Sequence, residues 1–102
     1  MKKNVAALQL LVENGIYILV GELTRHTVPS LPVKKVQKSL TADNVIFNFK
    51  GVEKVDTAGL AWVCALLEQA NEKQCQLSLV NFPEQLTKLA KLSGVENFLP
   101  TT

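Results

Sequence analysis

A strand-like segment, a long apolar helix and a second strand-like segment follow one another in the middle of the chain. Val45–Phe49 is short, apolar and aromatic, as a buried strand is. The helix is expected from Thr57 to about Gln74, and Gln76–Val80 predicts the next strand. Two such strands joined through a helix are expected to lie parallel in one sheet. This unit restricts the chain to α/β architectures.

The segment before this unit predicts a hairpin and a short helix. Ala7–Glu13 and Ile16–Gly21 are rich in Leu, Val and Ile, and the Asn14-Gly15 pair between them is a strong turn signal. Glu22–Ser30 predicts a connector. Val33–Leu40 predicts a short helix, because its apolar residues recur at helical spacing with lysines on the opposite side.

The remaining segments complete the expected architecture. The polar segment Lys50–Asp56 predicts a loop. Pro83 suits the first turn of a last helix, which runs to about Ser93 and ends at Gly94. The chain is therefore expected to form one α/β domain over residues 1–102. Its mixed sheet has four to five strands opened by a β-hairpin, with three to four helices mainly on one face.

Composition and charge argue against several classes of protein. The eleven basic residues give a net charge of only +2 and are scattered along the chain, whereas nucleic-acid-binding proteins concentrate them. No stretch approaches the roughly 18 apolar residues of a membrane span, and the start of the chain lacks a signal-peptide pattern. We therefore expect a cytoplasmic protein. Cys64 and Cys75 lack CxxC spacing, which is typical of reduced, packed thiols.

The sequence contains no evident catalytic constellation. His26 is the only histidine and lies in a Pro-flanked connector, so a Ser-His-Asp or Cys-His arrangement is improbable. Cys64, Cys75 and His26 do not have the spacing of metal ligands. A GxxxxGK[ST] phosphate loop is also absent from the sequence. These observations predict a non-enzymatic protein without a metal or a cofactor.

The Asp56-Thr57-Ala58-Gly59 turn is the most informative polar feature. It follows a strand and begins the long helix, so Thr57 is expected at the carboxyl end of a strand, where α/β folds place binding groups. Two interpretations stay open. Thr57 is either the N-cap of the helix or a functional hydroxyl that binds a partner or accepts a phosphoryl group.

The long helix has no charged residue between Ala58 and Leu67. At 100° per residue, one face carries the expected core residues, namely Leu60, Val63, Cys64, Leu67 and Asn71. Trp62 and Leu66 fall on a different side. They either pack against a neighbouring helix or form an exposed apolar patch beside Thr57, which would mark a partner site.

Four motifs indicate a known family. They are Gly21-Glu22-Leu23, the strand Val45-Ile46-Phe47-Asn48-Phe49, the turn Val55-Asp56-Thr57-Ala58-Gly59-Leu60 and the helix end Leu92-Ser93-Gly94-Val95. With these motifs, nearly the whole chain resembles the STAS domain family, the fold of anti-sigma-factor antagonists and of sulfate-transporter tails. In that family a partner kinase phosphorylates the hydroxyl residue after the Asp, which matches Thr57.

Two departures from the antagonists favour one subfamily. Antagonists usually carry an acidic residue after Gly-Glu-Leu, where this chain has Thr24. They also typically have Ser-Ser-Gly or Ser-Thr-Gly after the Asp, where this chain has Thr57-Ala58-Gly59. The turn, together with the run Leu89-Ala90-Lys91-Leu92, is more similar to MlaB, the small STAS subunit of the Mla phospholipid ABC transporter of Gram-negative bacteria.

The resemblance implies a non-catalytic subunit that binds and supports the ATPase of an ABC transporter. Through the ATPase it would meet the permease at the inner membrane, without inserting into the membrane itself, and would serve outer-membrane lipid asymmetry. The implied partner surface is Asp56, Thr57, Ala58 and Gly59, and the helical wheel adds Trp62 and Leu66. The alternative is an anti-sigma-factor antagonist in which an anti-sigma-factor kinase phosphorylates Thr57.

Overall fold

Two strands come first and helices then alternate with strands, in a computed structural model that describes residues 6–41 and 43–99. The strands are β1 (Gln9–Glu13), β2 (Ile16–Leu23), β3 (Asn44–Val55) and β4 (Gln76–Val80). The α-helices are α1 (Val33–Val36), α2 (Thr57–Glu72) and α3 (Glu84–Ser93). Three short 3-10 turns cover Val28–Ser30, Gln37–Ser39 and Glu96–Phe98.

The four described strands form one mixed sheet in the order β1-β2-β3-β4. β1 and β2 are antiparallel, while β3 runs parallel to β2, and β4 runs parallel to β3. Asn14 and Gly15 join the hairpin with φ angles of 53° and 78°, the positive values that a type I′ turn requires. The predicted fold class, a mixed sheet opened by a hairpin, is therefore confirmed.

The helices cover one face of the sheet. Val45, Phe47 and Phe49 of β3 are buried, as are Leu77 and Leu79 of β4, whereas the residues between them are more exposed. Because side chains alternate between the faces of a strand, these buried residues all point to one side. On that side they join residues of α2 and α3 in a single hydrophobic cluster.

β3 is longer than the sequence predicted, so the loop expected over Lys50–Asp56 is wrong. The strand continues to Val55, and its polar half pairs with β2 from Val20↔Gly51 to Leu23↔Val55. Two register shifts, between Ile18 and Val20 and between Gly21 and Glu22, adjust this pairing. Backbone hydrogen bonds to β2 hold this half in the sheet, although its side chains are mostly not buried.

The buried face of α2 is rotated from the predicted one. Leu60 and Val63 are buried as expected, but Cys64 and Leu67 are only half-buried and Asn71 is exposed. Trp62 is 5% exposed and Leu66 is fully buried, so neither belongs to an exposed patch. The indole Nε1 of Trp62 donates a hydrogen bond of 2.7 Å to the carbonyl oxygen of Leu31. The connector before α1 thus contacts the side of α2 that carries Trp62. The helical periodicity had not decided whether this side is packed or exposed.

None of the helices in the described ranges has both the length and the hydrophobicity that a membrane crossing requires.

Candidate functional site

The candidate site lies where β2 and β3 end side by side. The two strands are parallel and their last residues, Leu23 and Val55, are paired. The segment that follows each strand therefore leaves the sheet at the same edge, which is the place where parallel sheets bind ligands. Arg25 and His26 come from the first segment, and Asp56 and Thr57 from the second.

Asp56 holds the two segments together. One carboxylate oxygen, Oδ1, accepts a hydrogen bond of 3.0 Å from the Gly59 amide, and Oδ2 accepts one of 3.0 Å from the Arg25 amide. The Asp56 amide donates to the Leu23 carbonyl oxygen at 3.3 Å. Asp56 is therefore the N-cap of α2, and the interpretation of Thr57 as the N-cap is wrong.

Gly59 allows α2 to begin directly against the end of β2. A Cβ at this position would overlap the carbonyl oxygen of Leu23 and would stand 2.9 Å from its carbonyl carbon. Gly59 is itself buried, so it contributes to the site by allowing this close packing and offers little surface to a partner. Close helix–strand packing explains why a helix-weakening residue occupies the first turn.

Two buried threonines shape the connector after β2. The Thr27 hydroxyl donates to the carbonyl oxygen of Glu22 at 2.7 Å and accepts from the Thr24 amide at 3.0 Å. The Thr24 hydroxyl accepts a hydrogen bond of 3.3 Å from the His26 amide. These bonds fix a tight turn that places Arg25 and His26 on the surface. This turn was not predicted from the sequence, where the Thr24-x-x-Thr27 spacing is its local signal.

Thr57 is exposed at the rim of a shallow cavity of about 430 Å³. The cavity is lined by Glu22, Thr24, Arg25, His26, Lys54, Asp56, Thr57 and Ala58. His26, which the sequence placed in a Pro-flanked connector, is exposed. The cationic side chains here were not predicted, because the pairing of β2 with β3 brings Arg25 and Lys54 together from distant parts of the sequence.

The arrangement suits recognition of a polar or anionic group. Thr57 offers an exposed hydroxyl in the first turn of α2, where the helix dipole favours negative charge. Arg25 and Lys54 add positive charge, and Glu22, paired with Lys54 in the strand register, and Asp56 add negative charge. The Asp56 carboxylate is already bonded to two backbone amides. Within residues 6–41 and 43–99, no three His, Cys, Asp or Glu side chains are grouped to hold a metal ion.

The predicted partner-binding residues separate into two groups. Asp56, Thr57, Ala58 and Gly59 lie together at the start of α2, with Thr57 the most accessible of them. Trp62 and Leu66 lie in the core, so they are removed from the candidate surface. The exposed side of α2 next to Thr57 instead carries Ala61, a small residue that allows close approach.

A family model matches the chain, and several solved structures are similar to it. The family model described as "Mlab, STAS domain" matches residues 6–100. The structure of the anti-sigma factor antagonist SpoIIAA in its unphosphorylated form is 21% identical, with a TM-score of 0.64, over 91% of this chain and 85% of that chain. The structure of the Bacillus cell fate determinant SpoIIAA in the phosphorylated form is 20% identical, with a TM-score of 0.62, over 91% and 88%.

At these identities the two structures establish the fold of the chain and nothing finer. No curated protein sequence matches the chain.

Proposed function

Because this chain belongs to the STAS domain family, we propose that it is a non-catalytic subunit of an ABC-type phospholipid transport system. In this proposal it binds the ATPase through the surface around Thr57, stabilises or activates it, and reaches the permease through it. It is thereby peripheral to the inner membrane, on the cytoplasmic side. STAS domains are binding and regulatory modules, so a docking role accords with the family.

The exposed Thr57 is the observation that carries the proposal. Its hydroxyl lies at the start of α2 beside Ala58 and Ala61, whose small side chains leave room for a partner to approach the helix. Arg25 and Lys54 line the same cavity as Thr57 and can pair with acidic groups of the partner. The description of the family model, which names Mlab, supports the transporter proposal.

Thr57→Glu is expected to abolish retention of the ATPase while the domain itself stays folded. The larger, charged side chain would intrude on the docking surface, and loss of an interface anchor costs about 2 kcal/mol or more, roughly thirtyfold in affinity. The exposed position and the favourable helix dipole protect the fold. The measurement is affinity purification from gently solubilised native membranes, with mass spectrometry to identify the ATPase and the permease.

The matched control is Thr41→Glu. Thr41 is also exposed but precedes β3, whereas Thr57 follows it, so the two lie at opposite ends of a 12-residue strand. Thr41→Glu should retain the ATPase at the level of the unaltered protein. Equal retention by both variants would show that the Thr57 surface does not bind the ATPase.

The second candidate function is a phosphorylation switch, in which the chain is an anti-sigma-factor antagonist. Arg25 and Lys54 beside an exposed Thr57 favour it, since cationic groups stabilise a phosphorylated side chain. Intact-mass analysis after incubation with ATP and cell extract tests it. A stable gain of one phosphate, absent in Thr57→Ala, would support the switch, and an unchanged mass would count against it.

A further inference from the structure

A second concave surface lies along the other half of α2, away from Thr57. This lateral groove has a volume of about 630 Å³ and runs between α2, the start of β4 and the last 3-10 turn. Its apolar walls include Cys64, Leu67, Leu77, Val95 and Phe98. Glu68 of the groove lies eleven residues after Thr57, about 16 Å along the helix at 1.5 Å per residue.

The groove exposes apolar side chains that the described residues, 6–41 and 43–99, leave uncovered. Cys64 and Leu67 are only half-buried, although they are three residues apart on α2, as residues on a buried helix face are. Phe98 is 73% exposed. Burial raises the pKa of the Cys64 thiol, and that of the Cys75 thiol is raised by burial and then by Asp43, with Lys73 opposing. Both thiols are therefore neutral at physiological pH and behave as small apolar groups.

The charges around the groove are mainly acidic, although the whole chain carries +2. Glu68 lines it, Glu72 follows one turn later on α2, and Glu96 shares the last 3-10 turn with Phe98. All three glutamates are exposed. Two further charges act on Cys75 in the groove, the negative Asp43 and the positive Lys73, whose ammonium group donates to the Gln37 carbonyl oxygen at 2.9 Å. An occupant with apolar residues flanked by basic ones matches both the walls and the rim.

We propose that the lateral groove is a second docking site, which takes the apolar side chains of a basic amphipathic helix from a partner protein. Such helices bind by laying one apolar face into a hydrophobic groove while their charged residues meet the rim. The volume lies within the range of grooves that bury several apolar groups. The proposal does not depend on the Thr57 surface, since the two sites lie on different parts of α2.

The test is a titration followed by two-dimensional NMR with two synthetic helical peptides. Both share the same leucine positions, and their polar positions are all lysine in one peptide and all glutamate in the other. The lysine peptide is expected to shift the amide signals of Cys64, Leu67, Leu77 and Phe98. We expect it to bind at least about tenfold more tightly than the glutamate peptide, a difference of about 1.4 kcal/mol.

Two variants with matched exposure locate the binding. Phe98→Ala removes an apolar wall and should weaken binding of the lysine peptide by about fivefold or more. Leu92→Ala alters an 86% exposed apolar residue that does not line the groove, and it should leave binding unchanged. Glu68→Lys should also weaken binding of the lysine peptide, because it reverses the charge at the rim.

Several results would overturn the proposal. In the titrations, these are equal affinity for the two peptides, amide-signal shifts confined to residues outside the groove, or no signal shift at millimolar peptide. Among the variants, equal effects of Phe98→Ala and Leu92→Ala on peptide binding would also overturn it. Shifts of the groove signals that grow with protein concentration alone would assign the groove to a second copy of the chain instead. None of these outcomes bears on ATPase binding at Thr57.

Discussion

Trp62→Ala is expected to destabilise the domain by about 3–5 kcal/mol, the cost of removing a large aromatic side chain from a core. Trp62 is 5% exposed, and its Nε1 bonds to the Leu31 carbonyl oxygen, so the change opens a cavity and leaves that oxygen without its partner. Domains of this size have about 5–15 kcal/mol of stability in total. The melting temperature, followed by circular dichroism, should fall by at least about 12 °C.

Leu92→Ala serves as the control, since Leu92 is 86% exposed and its loss should change stability by less than about 0.5 kcal/mol. Trp62→Phe should fall between the two, because it retains most of the buried area but not the hydrogen bond. A Trp62→Ala protein that melts like the unaltered one would contradict the burial of Trp62. It would also restore this residue as a surface candidate for partner binding.

Gly59→Ala is expected to destabilise the domain, although Ala is the better helix former by about 1 kcal/mol. The added Cβ would overlap a backbone oxygen of Leu23, which cannot move aside as a flexible side chain could. Overpacking of this kind costs about 1–3 kcal/mol and occasionally more. We expect a net loss of about 2 kcal/mol, measured by urea denaturation, and weaker ATPase binding as the start of α2 shifts.

The comparison for this prediction lies two residues further along the same helix. Ala61 is exposed, so Ala61→Gly should destabilise by about 1 kcal/mol through helix propensity alone. Alanine is thus predicted to be the less stable choice at position 59 and the more stable choice at position 61. If alanine were favoured at both, α2 would not be packed against the end of β2 as described.

Local patterns predicted much of the fold. The hairpin turn, the strand Gln76–Val80 and the start of α2 at Thr57 are found at the predicted residues, because each depends on a short-range signal. The second half of β3 was missed, since pairing with β2 and not apolar side chains holds it in place. Asp56 and Thr57 are both good N-cap residues, so composition could not show which of them caps the helix.

Only the central turn of the candidate site, Asp56-Thr57, could be predicted from the sequence. The Asp56-Thr57 turn stands out in the sequence, but the cations beside it depend on the register of two strands about thirty residues apart. The solvent side of α2 could not be assigned, because nothing charged marks it between Ala58 and Leu67. Trp62 is covered by a segment 31 residues earlier, a contact that the local pattern does not encode.

The double hydrogen bond of Asp56 has a consequence for binding. The carboxylate bonds both the Arg25 segment and the first turn of α2, so the surface proposed to receive a partner would already be ordered before binding. In the proposed complex, association at Thr57 would require little ordering of this chain, which would remove one of the main entropic costs of forming a complex. The affinity of this surface for a partner should therefore depend on shape and charge complementarity, and not on folding of the chain upon binding.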